Sequence, residues 1–293
     1  MEIHSSTVLT GLPSTLTDPV RLFHGTAVER RDWSALGPLE RRQLVVRARA
    51  ADLQTDGVVS HRSAAALWGL PDHGRPDWRL HLIDVRAAKT HSGRGVVRHV
   101  GRITDDDVVL LDGLRTTSLL RTVVDLAHTS SFELAVVVLD HVLHGGHLDR
   151  DDLTPAITGR RGQRGSRRAA SALAFADAAA ESPGESISRV AVRRLGAASP
   201  VLQQEFRTDT GDFRVDFWWP ESGVVGEFDG RVKYSDRDVL WAEKRREDAL
   251  RRSRDVRGFA RWGMAEAEDP PRLGSVLVAA GLPLGRGWAY RAC

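Results

Sequence analysis

"FRVDFWWPESGVVGEFDG", residues 213–230, is the stretch from which the fold of the second half of the chain is read. Phe213, Val215 and Phe217 alternate with Arg214, Asp216 and Trp218, the period of two expected of a half-buried strand. Pro220-Glu221-Ser222-Gly223 is turn chemistry, and Val224 to Gly230 forms the return strand. With 220–223 as the loop, Trp219 faces Val224, Phe217 faces Gly226 and Asp216 faces Glu227. Asp229, two residues on, joins Glu227 and Trp218 on the acidic face. Like charges directly opposite one another destabilise a hairpin, so this face calls for a counter-charge.

The hairpin sits in a regular succession of elements. A helix is expected at 185–196, a strand at 201–209, a helix at 236–252, a strand at 256–264 and a helix at 270–281. The resulting order is α-β-β-β-α-β-α. Ahead of it, 38–54 reads as an amphipathic helix opened by Pro38. In "VVSHRSAAALWGLPDHG", Ser60 is the expected N-cap, His61 a first-turn residue and Gly69 the stop. Strands are expected at 78–85, 95–100 and 107–117, and helices at 118–128 and 132–146, with one short strand within "VRLFHGTAV". Gly159, Gly162 and Gly165 mark a linker, which places a domain boundary near 165: 1–165 as an α+β domain and 166–293 as a separate one. The fold class is therefore α/β in the broad sense, two domains of α+β composition.

The chain has 293 residues, 41% of them hydrophobic and 28% charged, so it is a folded globular protein with material for more than one core. Its single cysteine, Cys293, excludes a disulfide framework and a cysteine-based zinc site and suits a reducing cytoplasm. No signal peptide is visible at the start and no apolar run approaches a membrane span, so no membrane partner is expected. The net charge of +3 hides clustering: "GRRGQRGSRR", 159–168, carries Arg160, Arg161, Arg164, Arg167 and Arg168 and no acid. A second basic run, "EKRREDALRRSRDVR", contains Lys244 and Arg245. Such clusters are either phosphate-binding footprints on DNA or solvated helix faces.

Hard carboxylate oxygens suit Mg²⁺ or Mn²⁺, which use one or two protein carboxylates and leave the other positions to water and phosphate. A cation on Asp216, Glu227 and Asp229 would turn their repulsion into attraction, polarise a phosphodiester and activate water. Glu185, in the first turn of its helix, is a further candidate carboxylate, or simply a good partner for the helix dipole. His141, His144 and His147 share a stripe, but Gly145-Gly146 ends the helix between them, so they are not expected to bind metal.

"RVDFWWPESGVVGEFDGRVKY" followed by "EKRREDALRR…GFARW" resembles the PD-(D/E)XK nuclease-like domains related to very-short-patch-repair endonucleases, over about 183–285. The resemblance implies a restriction-endonuclease-like αβββαβ core, with Asp216 and Glu227 as metal ligands. The lysine usual two residues after that Glu is Asp229 here. Lys233 or Lys244 would have to stabilise charge on the phosphate in its place. A second resemblance covers about 55–146: "VVSHRSAAALWGLP", "GLRTTSLLRTVVDLAH" and "FELAVVVLDHVLHGG" are similar to the body of AbiEi-type antitoxins of type IV toxin–antitoxin systems. Of the winged helix that precedes this body in those proteins, only its final strand is matched, by "RLFHGTAV". Two functions follow as expectations: a Mg²⁺-dependent DNA endonuclease, or a non-catalytic DNA-binding regulator or antitoxin with a cognate toxin and a decayed nuclease fold.

Overall fold

The computed structural model describes residues 9–10, 16–53, 57–85, 89–230 and 237–285; for 9–10 and 237–244 only the course of the backbone is described. Helices and mixed sheets form two compact units, the fold class that the alternation of patterns implies. One unit runs to Val138 and takes in Leu148–Ala174; the other comprises Leu139–His147 and the chain from Phe175 onward. The boundary expected at 165 falls just ahead of a helix, Ser166–Phe175, all but the last residue of which belongs to the first unit.

In chain order the first unit contains β1 (Leu9–Thr10), β2 (Pro19–Phe23), β3 (Thr26–Glu29), α1 (Arg30–Ala35), α2 (Pro38–Leu53), β4 (Val58–Val59) and α3 (His61–Leu67). There follow β5 (Leu80–Ile83), β6 (His91–Gly93), β7 (Val96–His99), β8 (Val108–Leu111), β9 (Leu114–Thr117), α4 (Leu119–Thr129), the start of α5 (Phe132–His144), α6 (Arg150–Thr158) and α7 (Ser166–Phe175). A six-stranded sheet of order β6-β7-β5-β4-β9-β8 carries the unit. Val46 and Ala50 of α2 and Ala64, Ala66 and Leu67 of α3 bury their side chains against Val59, Leu80, Leu82 and Val96. The single strand expected at 107–117 is a hairpin, because Asp112 (φ 49°) and Gly113 (φ 77°) take the two left-handed positions of a tight turn. Arg94 and Gly95 do the same between β6 and β7.

The second unit continues with α8 (Pro183–Arg194), β10 (Val201–Thr208), β11 (Gly211–Trp219), β12 (Val224–Phe228), α9 (Arg237–Arg252), β13 (Gly258–Trp262), α10 (Met264–Ala267) and α11 (Pro270–Ala279). Apart from the one-turn α10, this is the α-β-β-β-α-β-α order read from the sequence. The sheet order is β10-β11-β12-β13, an antiparallel meander closed by β13 parallel to β12. α9 is the crossover that a parallel pair requires. Trp219↔Val224 and Phe217↔Gly226 are paired as the loop length dictates.

The side chains of β11 do not keep the simple alternation. Phe213, Val215 and Trp218 pack with Val225 and with Leu250 of α9. Phe217 and Trp219 instead lie with Trp262, whose indole N–H donates to Ser188 Oγ of α8 at 2.8 Å. Trp218 therefore belongs to the apolar layer under α9 and not to an acidic face with Asp216. The cause is a break in the β10–β11 ladder. Leu202↔Phe217 and Gln204↔Val215 are paired, but between them Gln203, at φ 52°, and Asp216 are not. A left-handed glutamine is uncommon, and this one stands on β10 opposite Asp216, the residue at which β11 changes layers.

Candidate active site

Asp216 occupies that break. Its Oδ2 accepts the Phe228 amide at 2.9 Å, so the side chain takes the place of a backbone acceptor where the β11–β12 ladder stops. Asp216 and Glu227 are thus adjacent across the hairpin without forming a ladder pair. Burial pushes the Asp216 carboxyl up to about 6, with Glu185 and Glu227 adding repulsion; the Phe228 amide and Arg246 act in the opposite direction. Gly226 and Gly184 make this corner possible. A Cβ on Gly226 would run into the rings of Trp262 and Trp219, and one on Gly184 into the ring of Phe228.

Glu185 is 6% exposed. It stands in the first turn of α8, where Ser182 caps the helix by accepting its amide at 3.2 Å. Glu185 Oε1 accepts from Ser182 Oγ at 2.7 Å, and Oε2 accepts from the Glu181 amide at 3.0 Å and from Gln203 Nε2 at 2.9 Å. The same glutamine that breaks the ladder therefore also fixes Glu185. The sequence offered Glu185 both as a further site carboxylate and as a helix-dipole residue, and gave no signal for Gln203.

Glu227, 7% exposed, is held by two arginines. Arg261 Nη2 donates to Oε2 at 3.0 Å, and Arg246 Nη2 lies 2.6 Å from Oε1. The second contact is an ion pair outside hydrogen-bonding alignment, since Oε1 is sealed without a hydrogen-bond donor; Arg246 Nη2 donates to the Arg214 carbonyl at 2.6 Å instead. Arg261 stands opposite Glu227 in the parallel β12–β13 register. Asp229 follows the end of β12, and its amide donates to the Trp262 carbonyl at 2.8 Å. The carboxylates that act on Asp216 are Glu185 and Glu227, and Asp229 is not among them. Among the described residues no set of three or more His, Cys, Asp or Glu side chains is arranged to hold a metal ion. Lys233 lies outside the described residues, as does the side chain of Lys244 on α9.

The basic residues divide by environment. Arg160 pairs with buried Asp125 at 2.6 Å, and Arg168 donates to the His128 carbonyl at 2.6 Å. A Cβ on Gly165, at φ 86°, would fall on that same carbonyl, which explains the glycine. Arg161, Arg164 and Arg167 are exposed along a cleft of about 560 Å³ ahead of α7. Arg245 is exposed on α9. Of the histidine stripe, His144 Nδ1 bonds the Ala178 carbonyl at 2.9 Å, and the rings of His141 and His147 are 6.4 Å apart.

No family model matches the chain, and no solved structure matches it. Over 204 residues it is 29% identical to the protein named Uncharacterized protein Rv2248 of Mycobacterium tuberculosis (strain ATCC 25618 / H37Rv), the match covering 68% of this chain and 73% of that one. Uncharacterized protein MT2308 of Mycobacterium tuberculosis (strain CDC 1551 / Oshkosh) is similar to the same extent. The match is longer than either unit and so takes in part of both. Among the described residues no helix is long and apolar enough to cross a membrane.

Proposed function

We propose that the second unit is a metal-assisted nuclease domain of the PD-(D/E)XK kind that acts on DNA in the cytoplasm. The observation that carries this reading is the position of Asp216. It is a partly buried carboxyl, pushed up to about 6, at a break in the ladder and beside two further buried carboxylates. At Asp216 burial and the two neighbouring carboxylates outweigh the Phe228 amide and Arg246, and a cation would offset that excess negative charge. The donor set fits Mg²⁺ or Mn²⁺: Asp216 keeps one carboxylate oxygen free of hydrogen bonds among the described residues, and Glu227 is adjacent. Such ions need only one or two protein carboxylates when water and phosphate complete the shell. When bound, the ion supplies Lewis-acid polarisation of the phosphate and a more acidic water.

The protein's own residues divide the remaining work. Gln203 and Ser182 hold Glu185 in place behind Asp216. Arg246 and Arg261 hold Glu227 and bring positive charge to the same edge of the sheet, where a phosphate can take over part of their pairing. Lys233 and Lys244 are the candidates for stabilising charge that develops on the phosphate, in place of the lysine replaced by Asp229. Arg161, Arg164, Arg167 and Arg245 are exposed cations suited to DNA phosphates.

A second reading has its own observation. Glu227 is already neutralised by two arginines, as in a nuclease fold that has exchanged metal for internal ion pairs. On that reading the chain is a DNA-binding regulator or antitoxin, with a toxin or other protein as partner. Calorimetric titration of Mg²⁺ and Mn²⁺ into the wild type and Asp216→Asn separates the two. The nuclease reading expects binding that the substitution abolishes; no heat in the wild type, with or without DNA, supports the regulator.

A further inference from the structure

The first unit holds a cavity of about 380 Å³, the size of a small-ligand pocket, with histidines on its wall. His61, His81 and His99 come together from the start of α3, from β5 and from the end of β7. The parallel β5–β7 register sets His81 beside Val97 and Ile83 beside His99. His61 and His99 stack with ring centroids 3.5 Å apart. Asp77 Oδ2 meets His81 Nε2 at 3.1 Å, and His81 Nδ1 meets His99 Nε2 at 2.9 Å.

This chain fixes the protons. Asp77 is held well below the ordinary carboxylate range. Burial opposes that, but hydrogen bonds from Arg79 outweigh it and His81 adds to them. Its carboxylate can only accept, so His81 carries its proton on Nε2 and presents a lone pair at Nδ1. His99 must then donate from Nε2, which leaves a lone pair on His99 Nδ1. Burial holds His61 and His99 down to about 3, His61 further through His81, Arg121 and Arg160, and His99 through His61 and His81. Both rings are therefore neutral near pH 7. Neither His99 Nδ1 nor His61 Nε2 has a hydrogen-bond partner among the described residues, and neither is sealed as His128 Nε2 is. His61 is 6% exposed and lines the cavity.

The rest of the wall favours an anion. Arg62 shares the single charge of Asp72 with Arg42, leaving positive charge in excess. Arg75 is exposed at the rim and has no ion-pair partner among the described residues. Ser131, whose hydroxyl accepts the Leu134 amide at 3.2 Å at the start of α5, lines the cavity with Leu134. Helix N-termini attract anions.

We propose that this cavity binds a phosphorylated small molecule that carries a free hydroxyl, of sugar-phosphate to mononucleotide size. Its phosphate meets Arg75, Arg62 and the start of α5, and its hydroxyl donates to His99 Nδ1. Asp77 and His81 are positioning residues that set the His99 tautomer. The site is independent of the nuclease reading, since it uses residues of the first unit alone.

The test uses the full chain, calorimetry with inorganic phosphate, ribose 5-phosphate and adenosine 5′-monophosphate, and nitrogen-15 spectra of the imidazoles. The expected result is a deprotonated His99 Nδ1 and tighter binding of at least one hydroxyl-bearing phosphate than of phosphate alone. Arg75→Ala should weaken all of these ligands about tenfold or more, the effect of losing a charge-assisted hydrogen bond. His99→Gln keeps an amide facing His81 and should erase the advantage of the hydroxyl-bearing ligands over phosphate. Absence of binding at millimolar concentrations overturns the proposal, as does binding that Arg75→Ala leaves unchanged. Should His99→Gln not fold, the exposed Arg75 variant and the His99 tautomer still decide the matter. A site that takes up zinc and ignores phosphate would also overturn it.

Discussion

Replacing Asp216 by Asn perturbs the second unit at its most charged point and leaves the shape almost unchanged. The amide oxygen of Asn can still accept the Phe228 N–H that Asp216 Oδ2 accepts at 2.9 Å. What changes is the charge. Moving a carboxyl from its ordinary 3.8 to about 6 corresponds, at about 1.4 kcal/mol per pH unit, to about 3 kcal/mol of stability lost on ionisation. The residue is partly open to solvent, so the observable effect is about 1–3 kcal/mol. The sign follows from which state binds the proton. Between pH 3.8 and about 6 the folded state keeps a proton that the unfolded state has released, so stability from this group falls as pH rises and stays low above about 6. Urea denaturation of wild type and Asp216→Asn at pH 4 and pH 8 reads the effect. The variant should be nearly neutral at pH 4 and stabilised by about 1–3 kcal/mol at pH 8. Equal differences at the two pH values, or destabilisation at pH 8, would refute the claim that Asp216 is an uncompensated carboxyl.

Three further outcomes are expected. Gly226→Ala should cost about 1–3 kcal/mol in thermal or urea denaturation, because its methyl has no room between Trp262 and Trp219. Neutralising Arg161, Arg164 and Arg167 together should lower the slope of log affinity for duplex DNA against log salt by about 2–3 while leaving stability unchanged, since all three are exposed. Arg160→Ala should instead destabilise the first unit by about 1–2 kcal/mol, because buried Asp125 loses one of its two arginine partners and keeps Arg121.

The order of elements was legible in the second half of the sequence because each is a short periodic run bounded by Gly, Pro or a cap. The Pro220–Gly223 turn fixes the register of β11 on β12, whereas α8 starts two residues ahead of the expected 185, because Pro183 and Gly184 form its first turn behind the Ser182 cap. The hairpin turn at Asp112-Gly113 was written in the sequence as an Asp-Gly pair, whereas the turn at Arg94-Gly95 was concealed because the strand ahead of it, His91–Gly93, is short, polar and exposed. The fate of Asp216 was not legible. Gln203 has no local reason to be left-handed; its φ of 52° goes with the ladder break opposite Asp216 and with its bond to Glu185, both long-range. For the same reason the alternation that set Trp218 on the acidic face failed one residue after the break. The arginines that neutralise Glu227 come from α9 and β13, more than ten residues away in sequence, so no local pattern could assign them.

Cleavage itself bears most directly on the central claim. Purified full-length protein, incubated with supercoiled plasmid and with oligonucleotide duplexes in Mg²⁺ and then in Mn²⁺, should convert the DNA to nicked or linear products. Asp216→Asn should reduce that conversion by a factor of about 10² or more while keeping the metal-independent DNA binding of the exposed arginines. DNA that is bound but left intact by the wild type in both metals, or cut equally well by Asp216→Asn, would contradict the account.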